Sequence, residues 1–449
     1  MLTAVRDHCL APARSVDEAT AYGGRYRRLF PDLPRLAEDE AAVRALGVEG
    51  GWCDSGDDDA DDDARVAAGW PFFGQYVAHD ITADRSALSH HADEAEIRNF
   101  RTPKANLECL YGAGPVANPY LYERDDPAKL LLAGHDLPRN DEAMALVGDP
   151  RQDTHLLINQ LQVALARVHN GLVDRLREDG VQEDALFAEA QRATRWHYQW
   201  VVLNDFLPRV AGADVVAEVL RYGPRVYRPE PGDPYIPYEF ADAAFRYGHS
   251  QIRRTYRVND GVEPCPLLPD LLGFRKVPLE QAVDWALFFD LPEREPAQRA
   301  KRIDGRLAPS LIRLPLALTG HVDEAEYHSL AVRDLQRGHA LALPTGEAVA
   351  AALGEEPLTA NAVGLGAGWE GRTPLWFYLL READVRAAGD ALGRIGGRIV
   401  AEVLVGIVDE DPSSYRAVDP SWLPTLPAAQ DGSFGLADLL VFSSASAAV

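Results

Sequence analysis

The stretch DTHLLINQLQVALARVHNGLVDRLRED, residues 153–179, repeats apolar side chains at three- and four-residue spacing over many turns. That period puts them on one face of a long helix. EDALFAEAQRATRWHYQWVVLNDFLPRV continues the pattern with aromatic mass, and PLWFYLLREADVRAAGDALGRIGGRIVAEVLVGIV reads as two more helices joined near its glycines. Strand-like alternation is sparse and short. Proline-rich connectors such as PRVYRPEPGDPYIPYEF recur without a composition shift to mark a domain boundary, and no internal repeat is visible. The pattern predicts a large, mainly α-helical single domain over residues 67–449. An N-terminal arm over 1–50 and an acidic flexible loop over 51–66 precede it. The loop holds CDSGDDDADDDAR, Cys53–Arg65, which has almost nothing apolar to bury. A chain of 449 residues can enclose a cofactor in its core.

Net charge is −24, which argues against a duplex nucleic-acid partner and against binding to an anionic membrane. Cys9, Cys53, Cys109 and Cys265 are scattered, so neither a zinc ribbon nor a disulfide scaffold is indicated. No secretory signal is visible at the N-terminus, and no apolar run is long enough to span a bilayer. A cytoplasmic protein is expected. The glycine-rich GLGAG, Gly364–Gly368, follows no β-run and reads as a turn rather than a nucleotide loop.

Four polar constellations interrupt the apolar pattern. In WPFFGQYVAHDIT, Gln75 and His79 lie four residues apart and share a helix face, while Asp80 points about 100° further round. His249 sits in AFRYGHSQI, after a glycine that permits a flat group to approach the backbone. Arg151, in GDPRQDTH, would open the long helix. Asp334 lies between Arg333 and Arg337 in LAVRDLQRGHALALPTG. Taken singly, these read as a satisfied core histidine, a helix-end histidine, a surface arginine and a solvated charge cluster.

Taken together, FGQYVAHDIT, RTPKANLECLYGAGP, GDPRQD, RVHN, FRYGHS, RDLQRGHALALPTG and GRIVAEVLVG run in order from about residue 70 to 405. In that order they resemble the animal-type haem peroxidases of the peroxidase–cyclooxygenase superfamily, in their bacterial branch. The resemblance implies a haem b buried between core helices. It also implies a peroxidase that reduces hydrogen peroxide through a ferryl intermediate and oxidises a small-molecule donor. His79 would be the distal acid–base histidine. Gln75 would hold a distal water or halide, and Arg151 would stabilise charge on the leaving oxygen. His249 would ligate the iron. Asp334, where mammalian members usually carry Asn, would accept from His249 and lower the iron potential, giving a less oxidising enzyme. Arg246, with help from Arg337, would meet a haem propionate. Asp80, Thr102, the carbonyl of Lys104, Asn106 and Glu108 would bind Ca²⁺, with a plain hydrogen-bonded turn as the alternative.

Departures from the family pattern narrow the expectation. Many members esterify haem through an Asp and a Glu at positions that are Ala78 and Thr154 here, so the haem is expected to be non-covalent. His155 stands where the myeloid member has a haem-bonded methionine. A fatty-acid dioxygenase needs a tyrosine where this chain has Arg246, and Tyr247 is one residue too close to His249. The other competing expectation is a haem-binding protein that has lost turnover. The reducing substrate and the oligomeric state are not written in the sequence.

Overall fold

The periodic runs become helices because their apolar faces find partners. The computed structural model describes residues 24–56, 62–83, 97–320, 324–429 and 432–446. Its helices of ten residues or more are α1 (Trp70–Ile81), α2 (Leu156–Glu178), α3 (Glu183–Val201), α4 (Ala213–Tyr222), α5 (Leu330–Ala340), α6 (Leu375–Ala387), α7 (Arg394–Asp409) and α8 (Leu436–Ala445). Helix α2 packs between α3 and α8, and every residue from Leu156 to Ala166 is buried. The run after α3 does not end at Val201. It loosens into a π turn, Val202–Phe206, and resumes as a short α-helix, Leu207–Ala211. A π turn rotates the residues beyond it relative to the preceding helix face. Here Phe206 stacks on Trp70 of α1, with centroids 6.2 Å apart.

Helix α1 is the centre of the arrangement. It packs on α2 and on a 3-10 turn, Ala244–Gln251, which also touches α6 and α7. Its Gly74 permits this closeness: a Cβ there would lie 3.2 Å from both Phe206 Cζ and the Tyr247 hydroxyl.

The strands are short. β1 (Gly24–Arg27) lies between β3 (Arg98–Asn99), antiparallel, and β4 (Tyr235–Pro237), parallel, while β2 (Asp63–Ala67) pairs antiparallel with β5 (Arg299–Lys301). The expected arm is therefore built into the domain from Gly24 onward. Its Leu29 and Phe30 N–H groups donate to the buried Glu239 carboxylate, at 2.8 and 3.2 Å, and helix Glu40–Ala45 packs on α5. The acidic loop is likewise fixed at both flanks. Cys53 is buried, Asp54 accepts from the Gly50 and Gly56 N–H groups, and β2 begins at Asp63; residues 57–61 lie outside the described residues, as does Cys9. Cys53, Cys109 and Cys265 are free thiols. Gly364–Gly368 forms a turn with Gly364 and Gly366 at φ +85°, as its context predicts. Among the described residues, no helix is long and apolar enough to cross a membrane.

Candidate active site

A cavity of about 420 Å³ opens where α1, the Ala244–Gln251 turn and the segment before α2 meet. Gln75, Ala78, His79, Arg151, Thr154, His155, Arg246 and His249 all line it. Its remaining wall is mostly apolar, including Phe72, Phe240, Phe245, Leu267 and Leu311. The volume and the character suit a flat organic cofactor.

His79 emerges from the last turn of α1. Its Nδ1 lies 2.9 Å from Gln152 Oε1. An amide oxygen can only accept, so the proton sits on Nδ1 and the Nε2 lone pair is left for the cavity. Burial and the nearby Arg151 charge push its pKa down to about 3. The imidazole is therefore neutral at every pH well above that value. Protonation would remove the base only as pH falls through about 3, so a peroxide reaction that depends on it should show no histidine titration between pH 5 and 8. Stopped-flow rates across that range check this.

Arg151 does not open α2. It lies in a separate 3-10 turn, Pro150–Asp153, and His155 caps the helix by accepting from the Ile158 N–H at 3.3 Å. The Arg151 guanidinium grips the buried Asp149 through Nε and Nη2, at 3.0 and 2.8 Å. Nη2 also donates to the carbonyls of His79 and Thr82, at 3.0 and 2.6 Å, closing the end of α1. Nη1 has no partner among the described residues. Because Nδ1 of His155 accepts, its Nε2 donates, reaching Gln75 Oε1 at 2.8 Å. The Gln75 amide nitrogen makes no hydrogen bond among the described residues.

His249 Nδ1 lies 2.6 Å from Asp334 Oδ2, and its Nε2 makes no hydrogen bond among the described residues. Asp334 is wholly buried, not solvated. His249 and Arg246 hold its carboxyl below the usual range despite burial. Arg246 donates to Asp334 Oδ1 at 2.8 Å, to Asp242 Oδ1 at 2.9 Å and to the Ala241 carbonyl at 2.9 Å. Arg337 Nε also turns to Asp242, at 3.3 Å, and is absent from the cavity wall. Both arginines expected at a propionate are thus engaged on protein carboxylates. Arg333 lines the cavity instead. Its Nε donates to the Tyr327 carbonyl at 2.6 Å, and it has no carboxylate ion pair among the described residues.

The side chains expected to bind calcium are hydrogen-bonded within the protein. Asp80 accepts from the Leu107 and Cys109 N–H groups, at 2.9 and 3.5 Å. Glu108 is taken by Arg101 Nη1 at 3.1 Å and by the Thr102 N–H and hydroxyl at 3.2 and 2.9 Å. Asn106 bonds back to Thr102, while the Lys104 ammonium, which is not the atom expected as a ligand, pairs with Asp411. These bonds tie the 102–109 segment into a hydrogen-bonded turn beside Asp80.

The motifs do not single out Gln152, whose partner His79 lies seventy-three positions earlier on α1, nor the bond of His155 to Gln75, eighty positions earlier.

Residues 89–283 match the family profile described as animal haem peroxidase, a segment that contains Arg151, Arg246 and His249. Over 94% of its length the chain superposes on 92% of peroxidase A from Dictyostelium discoideum, with a TM-score of 0.66 and 14% identity. The chain has the animal haem peroxidase fold. The same fold relates it to the fatty acid alpha-dioxygenase of Oryza sativa, with a TM-score of 0.59 and 13% identity over 83% of this chain and 72% of that one. By sequence it is 29% identical to human thyroid peroxidase over 245 residues, 47% of this chain and 26% of the relative. It is 26% identical to Drosophila melanogaster peroxidasin over 197 residues, 40% of this chain and 12% of the relative. The matched segments thus span about a quarter or less of those relatives. The family profile begins after His79 and ends before Asp334, so it does not reach those two positions.

Proposed function

We propose that the chain is a haem peroxidase of the bacterial branch, which reduces hydrogen peroxide and oxidises a small-molecule donor. The observation that carries this reading is one cavity lined by two imidazoles with opposite roles: His79 offers an unprotonated Nε2, and His249 has its Nδ1 on a buried carboxylate. Bound haem would supply the redox-active iron and store the oxidising equivalents. The iron would be held by His249 Nε2, while Asp334 keeps Nδ1 of that ring occupied. His79 Nε2 takes a proton from one peroxide oxygen and returns it to the other, with Gln152 fixing the tautomer. Arg151 Nη1 offers a fixed cation to the oxygen that departs. Gln75 presents its amide nitrogen to a small polar ligand, steered by His155. Arg333 is the residue we assign to a haem propionate.

Ala78 and Thr154 line the cavity but have no carboxylate with which to esterify haem. Acid–acetone extraction should therefore strip haem from the protein; haem retained in the precipitate would sink this part of the reading.

The function is tested by the absorption spectrum of the haem-loaded protein before and after one equivalent of peroxide. A Soret shift within milliseconds that an electron donor reverses supports peroxidase activity. A second reading rests on Tyr247, whose hydroxyl is buried without a hydrogen-bond partner among the described residues and which lines the cavity. Indifference to peroxide, together with oxygen uptake on a long-chain fatty acid, would favour that dioxygenase reading.

A further inference from the structure

The loop expected to bind calcium is held by a guanidinium, and that guanidinium also reaches the turn that carries Arg151. Arg101 is largely buried between the 102–108 loop and the turn that carries Arg151. Its Nη1 holds Glu108 Oε1 at 3.1 Å. Its Nε and Nη2 hold Asp149 Oδ2 at 3.1 and 2.6 Å, and Nη2 also reaches the Gly148 carbonyl at 2.9 Å. Asp149 in turn holds Arg151. The two segments touch: a Cβ on Gly148 would lie 2.6 Å from the Cys109 carbonyl oxygen. A second guanidinium, Arg195, donates to the loop carbonyl of Asn106 at 2.7 Å, and Gln199 donates to that of Ala105 at 3.0 Å. The Glu108 carboxylate is therefore committed to a guanidinium, and the carbonyls of Ala105 and Asn106, which are not among the expected ligands, also face donors. A divalent ion entering here would compete with Arg101 for Glu108.

We infer that the Arg101 guanidinium, in place of a bound divalent cation, ties the 102–108 loop to the Asp149–Arg151 turn and so positions Arg151. A planar fork suits this task. It spans two carboxylates in fixed directions, which a point charge cannot do. Arg101 touches no reacting atom; it acts through Asp149, and that half of the inference rests on the peroxidase reading.

The first test uses the unmodified protein. Chelator-treated protein is titrated with CaCl₂ in a calorimeter and melted with and without millimolar Ca²⁺. No binding heat and an unchanged melting temperature are expected. Micromolar binding that raises the melting temperature would overturn the inference. This experiment reads the same with or without haem, so its failure is separate from failure of the peroxidase reading. The second test is Arg101→Gln. Misplacing a positioned group costs up to about a hundredfold, so the peroxide reaction is expected to slow by roughly ten- to a hundredfold. Soret position and haem affinity should match wild type, and Arg101→Lys should restore only part of the rate. A wild-type peroxide rate in Arg101→Gln would remove Arg101 as a positioning residue.

Discussion

Replacing His79 by alanine lowers the second-order rate of reaction with hydrogen peroxide by about 10²–10⁴-fold, the range of a positioned general acid–base group. Among the described residues lining the cavity, no other imidazole is free to substitute. His155 has its Nδ1 committed to the Ile158 N–H and its Nε2 proton committed to Gln75. His249 has Nδ1 on Asp334, and its remaining nitrogen is the one proposed to hold the iron. The arginines lining the cavity carry no lone pair to offer. Stopped-flow absorbance under excess peroxide measures the effect, and the resting spectrum of the variant verifies that haem is in place. A rate close to wild type would end the catalytic reading and leave a haem-binding protein.

Replacing Asp334 by leucine destabilises the protein on the order of 3–5 kcal/mol, because it strands charge in the interior. The carboxylate is fully buried and accepts from His249 and Arg246. Without it, Arg246 keeps only Asp242 as a carboxylate partner. Urea unfolding of wild type and variant gives the difference. Asp334→Asn separates the electronic effect from the structural one, since the amide oxygen still accepts from His249 Nδ1. A carboxylate makes the ring a more basic ligand than an amide does, so Asn should move the iron potential in the positive direction. Spectroelectrochemistry reads the sign, and an unchanged or more negative potential would contradict the assignment. The shift is moderated by Arg246, whose charge on the other Asp334 oxygen draws density away from the histidine.

The long helices were legible because their burial is local in sequence: α1, α2, α6 and α7 follow the three-four spacing of their apolar residues. His79, Arg151 and His249 were legible through short motifs. Their neighbours were not. Gln152 gains its meaning only when the 150–153 turn docks on the end of α1. The surroundings of the expected calcium loop were hidden for a related reason. The spacing of oxygen donors fixes which atoms lie on a loop, not what they face, and Arg101, which takes Glu108, lies outside the spaced set. Arg246 was expected at a propionate; it lines the cavity and bonds Asp334 and Asp242, and Asp242 was not among the residues singled out. The arm looked separate because the four residues of β1 carry too weak a pattern to reveal pairing with residues 235–237.

The placement of the cavity's parts also sets a schedule. His79 leaves the ribosome 255 residues before Asp334 does. At about 5–20 residues per second, that gap is roughly 13–50 s. Once Arg151 has emerged, the nascent chain carries both His79 and Arg151 without the carboxylate that would steady the proposed iron ligand. A growing chain that captured haem after His249 emerges, in the last 85 residues before Asp334, would hold it through an unsupported His249. If His249 holds the iron as proposed, secure loading would wait for α5 to emerge and dock, and insertion of the cofactor would come after synthesis of most of the chain.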